Sequence, residues 1–179
     1  GQGHRGCGDG IEPRMKASLI LVTGWAHPKE ALLPFRDALK DHLHVQLVSS
    51  RNEVHFIKGM VAPPRFLAGW SMGGMLAMEE VCANPEGVDG LILINTTAKF
   101  CGDEDYPHGV PLEQLKSLVL RMSQSPQRAL RSFFRDVAMP DRAMEKELDV
   151  RVQGAMQLGL AELFNGLQYL NKTDLRPLL

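Results

Sequence analysis

Ser71 is the residue whose neighbours could make it react. It stands in Gly69-Trp70-Ser71-Met72-Gly73, a G-x-S-x-G spacing, where the apolar run Phe66 to Ala68 gives way to helix formers between Gly74 and Ala83. A strand that turns abruptly into a helix holds the central serine in a strained backbone conformation. The positions two before and two after it must lack side chains for strand and helix to pass so closely. Such a serine presents its hydroxyl above the sheet, and the N–H of Met72, at the helix start, points at the same spot and favours negative charge developing there. That is equipment for nucleophilic attack on an acyl carbon. In a chain of 17 glycines the spacing alone is weak. The plainer alternative is a serine in an ordinary glycine-rich turn, and the strand before it and helix after it weigh against that.

Positioning that serine requires a parallel sheet. Four runs read as strands: Ala17 to Val22, His44 to Ser49, Phe66 to Ala68 and Gly90 to Asn95. Between them lie an amphipathic helix from Lys29 to His42, a short crossover from Arg51 to Pro64 and the helix ended by Asn84-Pro85. The crossover has room for two helical turns around Val54, Ile57 and Met60. Alternation of strand and helix argues for an α/β fold with a parallel sheet. The first strand ends in Thr23-Gly24-Trp25-Ala26-His27-Pro28, a loop at the same sheet edge as Ser71. Beyond Thr96 a polar loop, Cys101 to Pro111, leads into helical patterns at Leu112 to Met122, Pro126 to Val137, Asp141 to Leu158 and Ala161 to Leu170. These predict a separate layer over the strand ends. The expected organisation is a disordered leader over residues 1–14 with Met15 a plausible start, a core over 15–110, a helical lid over 111–172, and an incomplete return to the core over 173–179.

The length of 179 residues suits one domain, and 20 basic against 21 acidic residues leave a net charge of -1, with no global attraction to nucleic acid or an anionic membrane. No apolar run reaches bilayer length and no signal pattern opens the chain, so a cytoplasmic protein is expected. Cys7, Cys82 and Cys101 and the six histidines are scattered without metal-ligand spacing; the close pair His42 and His44 reads as surface. Reduced thiols are expected, and no metal or cofactor is implied.

Four segments together resemble the α/β-hydrolase superfamily, and within it the pimeloyl-(acyl-carrier protein) methyl ester esterases of biotin synthesis, the BioH group. They are Thr23-Gly24-Trp25, Gly69 to Gly74, Leu93-Ile94-Asn95-Thr96-Thr97-Ala98-Lys99-Phe100, and Thr173-Asp174-Leu175-Arg176. The resemblance implies an α/β-hydrolase-like parallel sheet, truncated after the fourth strand, with a helical lid. It implies Ser71 as nucleophile and the N–H groups of Trp25 and Met72 as oxyanion hole. Trp25, Ser71 and Met72, with Phe133, Phe134 and Val137 of the lid, are the implied substrate-binding residues; ordinary helix-helix core is the alternative for the last three. Arg121, Arg128, Arg131, Arg135 and Arg142 are the implied face for acyl carrier protein, against a merely solvated helix face. The implied reaction is hydrolysis of the methyl ester of a pimeloyl-type acyl chain on that carrier. Since a fold does not fix a substrate, another acyl hydrolase, thioesterase or lipase-like, and a noncatalytic binding module stay open.

A serine hydroxyl needs a base, and the base an orienting carboxylate, in the family's chain order Ser, Asp or Glu, His. No suitable Asp-to-His segment follows Ser71, and Ser49-Ser50-Arg51-Asn52 stands where the family has a glycine-rich loop. Three explanations compete: a truncated esterase, a noncatalytic relative, or a local substitute, His27 or His108 with Asp103, Glu104 or Asp105. Truncation would leave Leu91, Ile92, Leu93 and Ile94 as an apolar sheet edge, from which self-association is expected.

Overall fold

A computed structural model of the protein describes residues 16–50, 53–54, 63–140 and 144–179. The leader over 1–14, Met15, Ile57, Met60 and Arg142 lie outside the described residues.

Strand β1, Ser18–Val22, is buried at all five positions, as its unbroken apolar run requires of a strand covered on both faces. It pairs in parallel with β2, His44–Val48, on one side and β3, Arg65–Trp70, on the other; β4, Gly90–Ile94, lies outside β3, giving the order β2-β1-β3-β4. Register places Val22 opposite both Val48 and Gly69. The chain therefore leaves β1 and β3 at the same sheet edge, which carries the Trp25 loop to Ser71.

The helix expected over Lys29 to His42 is divided into a 3-10 turn, Lys29–Leu32, and helix α1, Leu33–Leu39. Pro34 is the reason: it cannot donate a backbone hydrogen bond, so it sits in the first turn of a new helix. Helix α2, Met72–Ala83, starts two residues before the expected Gly74, because Ser71 C=O accepts the Gly74 N–H at 2.9 Å and draws both glycines into the first turn. One sheet face packs Leu19, Leu21 and Ala68 on Leu32.

The other face joins α2 and four helices in one cluster that includes Trp25, Met72, Leu130, Phe134 and Leu167. These four are α3, Leu112–Gln124, α4, Pro126–Val137, α5, Glu145–Gln157, and α6, Leu160–Lys172. Pro126 starts α4 immediately after α3, and Gly159, at φ 87°, makes the left-handed turn into α6.

After α6 the chain returns to the sheet. The Leu175 N–H donates to Ala98 C=O at 2.8 Å, and Lys99 pairs with Asp103 and, at 3.6 Å, with Asp174. Arg176 forks onto Asp174 at 2.9 and 2.6 Å and lies over the Tyr106 ring. The segments 93–100 and 173–176, read separately in the sequence, are thus one tied structure. Strand β4 is the sheet's other margin. Ile92, Leu93 and Ile94 are 48%, 44% and 39% exposed, and among the described residues no strand pairs its outer edge.

Candidate active site

Ser71 carries φ 55° and ψ −122° between β3 and α2, a conformation that non-glycine residues hold only when their surroundings impose it. The imposition is steric. A Cβ on Gly69 would lie 2.3 Å from Gly73 O, and one on Gly73 would lie 2.4 Å from Thr23 O. Hydrogen bonds complete it: the Ser71 N–H donates to Ile94 O at 2.9 Å, and Thr96 Oγ1 donates to Ser71 O at 2.7 Å. Sequence reasoning gave Thr96 no role. Its methyl and hydroxyl fill the space that a side chain at Gly74 would need, at 2.6 Å.

The Trp25 loop passes directly beside this serine. A Cβ on Gly24 would sit 3.2 Å from Ser71 Cβ and 3.7 Å from Ser71 Oγ. Met72, as the first residue of α2, has an N–H with no carbonyl partner available inside the helix. The Trp25 side chain, 5% exposed, is held by the helical layer. Its Nε1 donates to Leu163 O at 2.8 Å, and its ring meets Phe133 edge-on at 4.8 Å. A Cβ on Gly166 would lie 2.5 Å from Trp25 Cδ1 and 3.3 Å from Met72 Sδ, so α6 crosses the loop at the one residue without bulk. A glycine inside an otherwise regular helix was the available signal for this crossing.

The other site residues expected from sequence scatter more. Phe133 touches Trp25, while Phe134 is fully buried between His27 and Phe133, at 5.2 and 5.4 Å. Val137, at the end of α4, is 53% exposed. A cavity of ≈ 410 Å³ adjoins Met72 instead, with Ser50, Leu76, Glu162, Gly166 and Tyr169 in its wall.

The arginines divide as well. Arg131 binds Glu145 at 2.5 Å and also Asp149, Arg135 reaches Glu145 at 3.6 Å, and Arg121 donates to Ser132 Oγ at 3.3 Å. Arg128 is exposed and, among the described residues, has no carboxylate partner. Arg131 and Arg135 thus fasten α4 to α5.

Neither substitute base is hydrogen-bonded to Ser71 Oγ among the described residues. His27 Nδ1 bonds to Trp25 O at 2.8 Å, and burial holds its pKa below the usual imidazole range, with the Trp25 bond opposing and Arg151 adding to the effect. His108 is exposed. Asp103 is occupied by Lys99 and by the N–H groups of Asp105 and Tyr106. Among the described residues no group of three or more His, Cys, Asp or Glu side chains could hold a metal ion, and no helix is long and apolar enough to cross a membrane.

Comparison with known proteins bears on this geometry. The Alpha/beta hydrolase family matches residues 4–179. The biotin biosynthesis bifunctional protein BioHC of Cellvibrio japonicus is 31% identical over 178 residues, covering 90% of this chain and 35% of its own length. The pimeloyl-(acyl-carrier protein) methyl ester esterase of Stenotrophomonas maltophilia is 28% identical over 175 residues, 88% of this chain and 67% of that protein. This chain therefore spans about a third of the first relative and two thirds of the second. Among solved structures, an esterase from Exiguobacterium antarcticum superposes with a TM-score of 0.77 at 17% identity, over 90% of this chain and 68% of that one. At that identity the likeness is one of fold.

Proposed function

The chain belongs to the alpha/beta hydrolase family, and from that premise we propose that Ser71 is the nucleophile of a serine carboxylesterase. Its substrate is the methyl ester of a pimeloyl-type acyl chain on acyl carrier protein. One observation carries the reading: Ser71 is held at φ 55° with the Gly24-Trp25 loop against its side chain.

In the proposed reaction Ser71 Oγ attacks the ester carbonyl carbon and gives its proton to a base. The carbonyl oxygen, now negative, accepts hydrogen bonds from the Trp25 and Met72 N–H groups, an interaction worth about 3 kcal/mol per donor in such sites. Collapse of the tetrahedral intermediate breaks the bond to the methoxy oxygen, which leaves as methanol with the proton. Water then releases the acyl group from Ser71 by the same steps. Among the described residues none is hydrogen-bonded to Ser71 Oγ as that base. The four helices act as a lid, and the acyl chain lies in the cavity beside Met72 and Leu76. The esterase relative's name supports the carrier-linked substrate. Because Glu145 and Asp149 occupy Arg131 and Arg135, carrier docking falls chiefly to Arg121 and Arg128.

A fluorophosphonate probe tests the nucleophile. Labelling of the chain that disappears in Ser71→Ala is the expected result. The second reading, a noncatalytic binding module, is favoured by the observation that no described residue offers Ser71 Oγ a base; no labelling of Ser71 at any probe concentration would select it.

A further inference from the structure

We propose that His27 is a positioning residue for the Trp25 loop, fixing two successive peptides so that the Trp25 N–H faces Ser71. The role rests on the reading of Ser71 as nucleophile. Gly24 C=O and Trp25 N–H are opposite ends of one planar peptide, so holding the carbonyl aims the N–H the other way. The His27 N–H holds that carbonyl at 3.3 Å. The next carbonyl, Trp25 C=O, accepts from His27 Nδ1 at 2.8 Å. Thr23 Oγ1 in turn donates to His27 O at 2.8 Å, closing the loop on itself. Between these bonds Ala26 is held at φ 61°, a left-handed conformation that alanine leaves when nothing holds it.

A carbonyl oxygen only accepts, so Nδ1 carries the proton and the neutral ring is the Nδ1–H tautomer. The ring is wedged edge-on between Trp70 at 4.5 Å and Phe134 at 5.2 Å. Trp70 directly precedes Ser71 and Phe134 belongs to α4, so the imidazole joins loop, nucleophile strand and helical layer. Burial, together with the positive Arg151 of α5, disfavours a second proton on the ring.

Imidazole nitrogen shifts of the wild-type chain give the first test. The Nδ1–H form at neutral pH is expected, and the Nε2–H form overturns the proposal. The second compares His27→Asn, whose amide nitrogen reaches the place of Nδ1, with His27→Gln, whose amide falls at the place of Nε2. In the Gln variant the Trp25 and Ala26 amide signals are expected to move, and phosphonylation of Ser71 to slow about tenfold, near 1.4 kcal/mol; the Asn variant should restore both. Unmoved signals in the Gln variant, or an Asn variant as impaired as the Gln one, overturn the proposal. Should the signals respond as expected while the wild-type chain takes no label, the nucleophile reading falls and the loop assignment stands.

Discussion

One added methyl group at Gly69 would meet Gly73 O at 2.3 Å and Gly74 Cα at 2.5 Å, all backbone, with nothing free to rotate away. Gly69→Ala should therefore lower unfolding free energy by about 3 kcal/mol, the upper range for overpacking. At Gly87 the nearest atom is Asn84 Cβ at 3.7 Å, so Gly87→Ala should stay within about 0.5 kcal/mol. Urea unfolding of the two variants measures the contrast. The need for small residues at 69 and 73 was legible in the sequence, because the G-x-S-x-G spacing marks both positions by itself. The need at Gly24, Gly74 and Gly166 was not: their partners are Ser71, Thr96 and Trp25, distant in the chain and joined only by folding.

At the scale of elements, the α4 arginines show how far periodicity reaches. Residues 128, 131 and 135 do share a helix face, as their spacing predicts. That the face meets Glu145 and Asp149 depends on how α4 packs on α5, which no local pattern records. The tie between the segments after β4 and after α6 is subject to a pH test. Hydrogen bonds from Arg176, with Lys99 nearby, hold the Asp174 carboxyl below its ordinary range against the opposing effect of desolvation. A depressed folded-state pKa stabilises above the unfolded value, near 3.9, and that stability is lost as pH falls towards the folded value. Melting temperature should fall less steeply below pH 4 in Asp174→Asn than in the wild type. Identical profiles would show that the carboxylate contributes nothing to acid stability.

For the molecule as a whole, parallel strands are ordinarily covered on both faces, yet β4 leaves Ile92, Leu93 and Ile94 open beside an unpaired edge among the described residues. Light scattering on this chain should give a mass above the monomer that grows with concentration, and Ile92→Lys should return it towards 19.8 kDa. A monodisperse monomer would contradict the expectation. The helical layer carries another implication. Its α6 accepts the Trp25 indole proton at Leu163, seats the ring against Gly166, and shares the loop with Phe133, Phe134 and, through Gly154, a contact at Pro28. A layer riveted to the Trp25 indole cannot be lifted without disturbing the loop that carries it, so, under the proposed function, traffic to and from the serine should pass sideways, beneath the eaves between Ser50 and Tyr169.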